Sequence, residues 1–349
     1  MMSPCVGWLL RQLPEEPVSN WTPSGEMVDP RALSHPHPEA RNYALILRNW
    51  TYSAWKPLVG IMLAGILMLI VLPMALLPVL IIGLVIEKGT SGDFLATIND
   101  AVTMKTVTVS GMLYLNLTLA SLIPAMWLLV RVLHSMRPRW LASVGPGIRW
   151  GFLGACFAAT IPALGAMMLV GMLVPGDPNG VEGDPNKLTG QLVAIGIVVL
   201  LTTPFQAIGE EYLFRGYLGQ AFGALSKSRI VAVLVPSLLF GLAHGLQNFP
   251  LFFDRFAFGL AAGLLTVLVG GLEAGIAMHV MNNLLAFGVT LAFGDLSQTL
   301  TVTEAPWSQL ILTGTQDVVF VVLVLIIARV MKVQTVSAPP RLDQPALVV

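Results

Sequence analysis

The chain is poor in charge. Only 38 of its 349 residues are Asp, Glu, Lys or Arg, 11% of the total, against roughly 25% in soluble globular domains. So few charges cannot cover a water-facing surface of this length, which excludes an ordinary soluble enzyme. Neither sign is in excess, at 19 basic and 19 acidic residues. The basic footprint of a nucleic-acid binder is therefore missing, and no nucleic-acid partner is expected. There are two cysteines, Cys5 near the start and Cys156 inside an apolar run, and their separation argues against a structural disulfide. No Gly-x-Ser-x-Gly occurs to seat a serine nucleophile, and no His-Glu-x-x-His to seat a zinc ion on one helix. No internal repeat is visible, which weakens an inverted-repeat transporter. The first fifty residues hold no apolar stretch long enough for a secretory signal.

What is present is hydrophobic length. AVILMFWYC residues make up 55% of the chain, with 33 glycines besides. A bilayer core of about 30 Å needs roughly 20 helical residues at 1.5 Å each. Eight runs approach that length: 58–85, 107–130, 152–174, 192–208, 230–246, 256–272, 274–293 and 310–328. They are unbroken rather than alternating, so helices are expected and not barrel strands. The fold class is all-α: a polytopic membrane bundle of about eight transmembrane helices, the sixth and seventh joined by a tight turn at Gly270-Gly271. Residues 1–50, rich in proline, are expected to be a disordered cytoplasmic tail. Residues 51–333 form the helical domain, and 334–349 are a second disordered tail. With both termini cytoplasmic, fifteen of nineteen Lys and Arg fall inside and only Lys88, Lys105, Lys187 and Arg255 outside, as the positive-inside rule requires. The acidic 177–184 loop then lies outside.

Four groups of polar residues interrupt the apolar runs. Ionisable groups in membrane helices are costly unless they face protein or water, so each raises a functional hypothesis. The first is Glu210-Glu211-x-x-x-Arg215, at the end of the fourth run. Glu211 and Arg215, at i and i+4, can pair; Glu210, about 100° away, has no local partner. The second is Phe240-x-x-x-His244, late in the fifth run. The third, Phe256-x-x-Gly259-x-x-x-Gly263, is a small-residue pattern for close helix packing. The fourth is His279-x-x-x-Asn283, one turn apart on a common face, with Asn282 pointing elsewhere. A carboxylate and an imidazole can hold and deprotonate water, while a second imidazole and an amide can donate to an oxyanion.

The order and spacing of these four motifs resemble those of the CPBP intramembrane protease family. That family includes the type II CAAX prenyl endopeptidases and bacterial relatives linked to bacteriocin self-immunity. The resemblance covers about residues 190–295. It implies an eight-helix bundle with its active site inside the bilayer, in which Glu210 and His244 activate water and His279 with Asn283 stabilise the oxyanion. Glu211, Arg215 and Phe240 take supporting positions. It implies an integral, multi-pass protein of a bacterial cell membrane and a membrane-embedded or membrane-anchored peptide substrate.

No cofactor is expected in this reading. Zinc on His244, His279 and Glu210 remains an alternative, since three N/O ligands and a water make a usual catalytic site. So do a non-catalytic immunity or scaffold protein and a proton-coupled transporter with a Glu/His relay.

Overall fold

In a computed structural model, which describes residue 37 and residues 39–174 and 184–338, every apolar run is helical. We number the long helices α1 (Trp55–Lys88), α2 (Val109–Leu133), α3 (Trp150–Gly171), α4 (Gly190–Ser226), α5 (Arg229–Ala243), α6 (Phe249–Val269), α7 (Glu273–Phe293) and α8 (Ser308–Val330). Seven are long and apolar enough to cross a membrane. Their outward side chains, among them Leu69, Ile82, Leu128, Leu200 and Val318, are exposed hydrophobics that only lipid can cover in such numbers. The chain is an integral membrane protein. Among the described residues there is no strand, only two isolated bridges, Asn42 with Val336 and Ser143 with Gly271.

α5 departs from the expected eight equal spans. It has 15 residues, about 22 Å at 1.5 Å per residue, shorter than the other helices, so residues flanking it complete the pass. Ser228 caps its start by accepting from the Val231 amide, and the chain turns away after it at Gly245, φ 86°. His244 is thus the residue that closes the helix, not one inside it. The fourth run continues beyond Glu211 to Ser226, through a π-helical stretch at Tyr212–Leu218. α6 starts earlier than the apolar run, because Asn248 accepts from the Leu251 amide and Pro250 occupies the first turn. Arg255, expected in an outer loop, therefore lies inside α6.

The presumed tails also differ. Residues 39–50 contain an apolar knot, Tyr43 to Leu47, that is buried. Tyr43 donates to the Leu141 carbonyl, and an added Cβ at Gly223 of α4 would meet the Ala44 carbonyl oxygen at 2.2 Å. The Ser337 amide donates to the Arg41 carbonyl at 2.7 Å and the Arg41 amide to Ser337 Oγ at 2.8 Å. Both described ends of the chain thus meet on the same side of the bundle. The 177–184 loop, except Asp184, lies outside the described residues, as do Cys5 and residues 339–349; Cys156 is a free, buried thiol.

The turn between α6 and α7 is as tight as expected. Gly270 takes the left-handed conformation at φ 73°, which a side chain would strain. Beside it the Arg149 guanidinium grips Glu273 at the start of α7 in two bonds of 2.8 and 2.6 Å.

α4 is held against α2 by close backbone approach. A Cβ at Gly209 would lie 2.1 Å from the Leu119 carbonyl oxygen and 3.2 Å from Ala120 Cα, so backbone must move to admit it. Gly209→Ala is therefore expected to destabilise the protein by roughly 1–3 kcal/mol or more. A melting comparison in detergent checks this, and an unchanged transition would refute the contact.

Candidate active site

The site is built where α4 and α7 run antiparallel. Gln206 and Glu210 stand one turn apart on α4; His279 and Asn283 stand one turn apart on α7. Their registers match rung for rung. Asn283 Nδ2 donates to Gln206 Oε1 at 2.9 Å, and His279 Nε2 lies 3.2 Å from Glu210 Oε2. The other ring nitrogen, Nδ1, is 2.8 Å from Glu211 Oε1. That same oxygen accepts from Arg215 Nη1 at 2.8 Å. One imidazole thus bridges two carboxylates, and the second carboxylate carries the i, i+4 pair expected from sequence.

Burial is nearly complete. The Glu211 side chain is 0% exposed and that of Arg215 2%, against 10% for Glu210. Glu210, on the more accessible side, is the carboxylate a water could reach. Space for the Glu211 carboxylate comes from Gly275, where a Cβ would lie 2.6 Å from Glu211 Oε2. The turn after Glu211 widens into the π-helical stretch, a distortion frequent at functional sites. Phe214 in that stretch is set edge-on to Phe240 at 5.2 Å between ring centroids.

Phe240 is the aromatic hub. Its ring packs edge-on against His244 at 4.8 Å and against His279 at 5.8 Å, and carries the Arg215 guanidinium over its face at 4.3 Å. A cation over a desolvated ring is favourable by about 0.5–2 kcal/mol. Phe258 of α6 closes the other flank, 5.2 Å from His279. The small residues of α6 do what their spacing suggested: Gly259 lies against Ser237 and Gly263 against Val233 of α5. His244 Nδ1 bonds the Phe240 carbonyl at 2.8 Å, which fixes the ring and leaves Nε2 for other partners.

The structure thus gathers Glu210, Glu211, Arg215, Phe240, His244, His279 and Asn283 around one point, and adds Gln206, which the sequence reading missed. Its one signal was position, one turn before Glu210 on the same helix face. Asn282 points away, as expected, but is not idle: its Oδ1 accepts from buried Gln316 of α8. Among the described residues, no three His, Cys, Asp or Glu side chains form a group that could hold a metal ion. Of the three residues named for zinc, His279 Nε2 and Glu210 Oε2 lie 3.2 Å apart, and His279 Nδ1 is engaged by Glu211.

Fold and site define a polytopic membrane protein with a buried carboxylate–imidazole–amide centre. Residues 192–285 match the family described as type II CAAX prenyl endopeptidase Rce1-like, a family of proteases, and all four motifs fall within the matched segment. The family expected from the motif spacing and the family matched are the same. The chain is also similar to the uncharacterized protein YyaK of Bacillus subtilis (strain 168), with 27% identity over 169 residues. That alignment covers 46% of this chain and 55% of YyaK, so the chain spans about half the length of that relative. No solved structure matches.

Proposed function

We propose that this protein is an intramembrane endopeptidase that hydrolyses a membrane-embedded or membrane-anchored peptide with a water activated by Glu210 and His244. Both termini are assigned to the cytoplasm on the distribution of Lys and Arg. The observation that carries the reading is the antiparallel ladder of Gln206 with Asn283 and Glu210 with His279. It sets a base and two hydrogen-bond donors side by side within a hydrophobic bundle.

The charges balance in one arrangement. With Glu210 and Glu211 ionised and facing both ring nitrogens of His279, the ring carries two protons, and Arg215 supplies the second positive charge. Glu210 takes a proton from water as its oxygen attacks the scissile carbonyl. Neutral Glu210 then releases its hold on His279 Nε2–H, which donates to the new oxyanion together with the Asn283 amide. The oxyanion collapses, the C–N bond breaks, and Glu210 returns the proton to the departing amine. Donors placed for the oxyanion, not for the neutral carbonyl, act in the transition state. His244, fixed through Nδ1, holds the water from the opposite side.

Asn283→Ala is therefore expected to lower kcat by roughly 10²–10³-fold with little change in KM. A raised KM with unchanged kcat would move Asn283 to substrate binding. Asn282→Ala leaves the Gln316 amide without its acceptor, so its effect should appear in melting temperature and not in kcat. Equal kcat losses at both positions would indicate a packing defect.

We favour the metal-free mechanism because a carboxylate and an imidazole suffice to activate a water. Strong chelation is expected to leave hydrolysis within about twofold of the untreated rate. Loss on chelation with rescue by zinc would install the zinc mechanism instead. The non-catalytic reading is disfavoured because a binding surface has no need of two buried carboxylates bridged by one imidazole.

A further inference from the structure

We propose that Arg255 is the anion-recognition residue of this site, holding a carboxylate of the peptide substrate beside His244. This rests on the peptidase reading above and names a feature of the substrate that the hydrolytic residues leave open.

Arg255 lies two turns into α6, within a membrane span, where a guanidinium is expensive unless it is used. Three neighbours on its helix show which way it faces. Phe252, three residues before it, packs on Gly241 of α5. Phe258, three residues after it, touches Phe240 and His279. Gly259, four residues after it, lies on Ser237. Residues at these spacings share one face, so Arg255 is directed at the last turn of α5, where His244 sits. It is close enough for its charge to act on both His244 and Glu210. Its sequence neighbour Asp254 diverges by about 100° towards Thr313 of α8, though its charge still acts on Arg255.

The hydrogen bonding of this corner is unfinished. Arg255 Nε is shut off from solvent with no acceptor, and Gln247 Oε1, in the α5–α6 connection, is a buried acceptor with no donor. Buried polar atoms of this kind are costly and call for an explanation. A peptide segment ending in, or carrying, a carboxylate supplies both missing partners: its anion to the guanidinium and a backbone N–H to Gln247. The other guanidinium near the centre, Arg215, is already matched by Glu211. A carboxylate on the departing side of the scissile bond would thus find a cation without disturbing the bridge at His279.

The test uses full-length Glu210→Gln protein in phosphatidylcholine nanodiscs, so that no turnover intrudes on binding. Three probes are titrated, each an apolar hexapeptide of valine and leucine with a neutral N-terminal fluorophore: a free C-terminal acid, its C-amide, and a C-amide with one internal aspartate. We expect the free acid, the aspartate peptide or both to bind about tenfold or more tightly than the plain amide, in line with a charge-assisted bond. The two carboxylate probes tell a chain end from an acidic side chain. Adding Arg255→Gln should bring the ratio to about one, and Arg255→Lys should keep part of it. Should the Gln variant fail to fold, the Lys variant and the probe ratios on the parent protein still decide the matter. Equal binding of all three probes with Arg255 in place would overturn the proposal. So would loss of the ratio in phosphatidylglycerol nanodiscs, with thermal stabilisation that depends on Arg255, because the anion would then be a lipid phosphate. Failure of the unmutated protein to cleave any peptide would sink the peptidase reading alone and leave the binding ratio standing.

Discussion

Replacing Glu211 with Gln should lower the stability of the folded bundle by about 3–5 kcal/mol, the usual consequence of stripping one partner from a buried ion pair. Glu211 Oε1 holds both Arg215 Nη1 and His279 Nδ1 at 2.8 Å, and its side chain is wholly buried. The amide can still accept one of these bonds but cannot balance the charge, so Arg215 is left as an unmatched cation in a medium that does not solvate it. Unfolding in mixed micelles measures the loss. The double variant Glu211→Gln/Arg215→Met should recover a large part of it, since removing both partners restores neutrality. A single variant that melts with the parent protein would mean that Glu211 is not the anchor described.

Glu210→Gln should have the opposite profile. The amide keeps the shape, and its N–H can donate to a His279 that has shed its Nε2 proton, so no unmatched charge is left and melting should change little. It cannot take a proton from water, and hydrolysis should fall by about 10²–10⁴-fold, the range that general-base catalysis contributes. Glu210 and Glu211 are sequence neighbours with the same side chain. A clean division, stability at one and rate at the other, therefore discriminates between roles and not merely between positions.

The pairing behind that expectation is legible in the sequence. Glu211 and Arg215 are four apart, and a helix allows only one of two adjacent glutamates onto that face. The shared face of His279 and Asn283 followed from the same spacing, and the packing role of Gly259 and Gly263 from their size. Other features were hidden for physical reasons. Gln206 is a single neutral residue in an apolar span, and only the antiparallel pairing of α4 with α7 gives it a partner. The start of α6 was missed because Asp254 and Arg255 interrupt the hydropathy, although Asn248 and Pro250 carry the signals of a helix start. Residues 43–47 were lost in the proline-rich composition around them; five residues buried against α4 and its neighbours weigh little in a fifty-residue average. Past Glu211, α4 carries Phe214 against Phe240, and Tyr217, whose hydroxyl lies 3.0 Å from His134 Nε2, tertiary contacts that no local pattern reports.

The most direct test of the account places purified parent protein and Glu210→Gln side by side in nanodiscs with a library of membrane peptides. A strong chelator is present, and products are read by mass spectrometry. The expected result is new peptide termini from the parent protein at rates at least a hundredfold above those from the variant, both proteins melting alike. Products at equal rates from the two, or none from a well-folded parent, would contradict it.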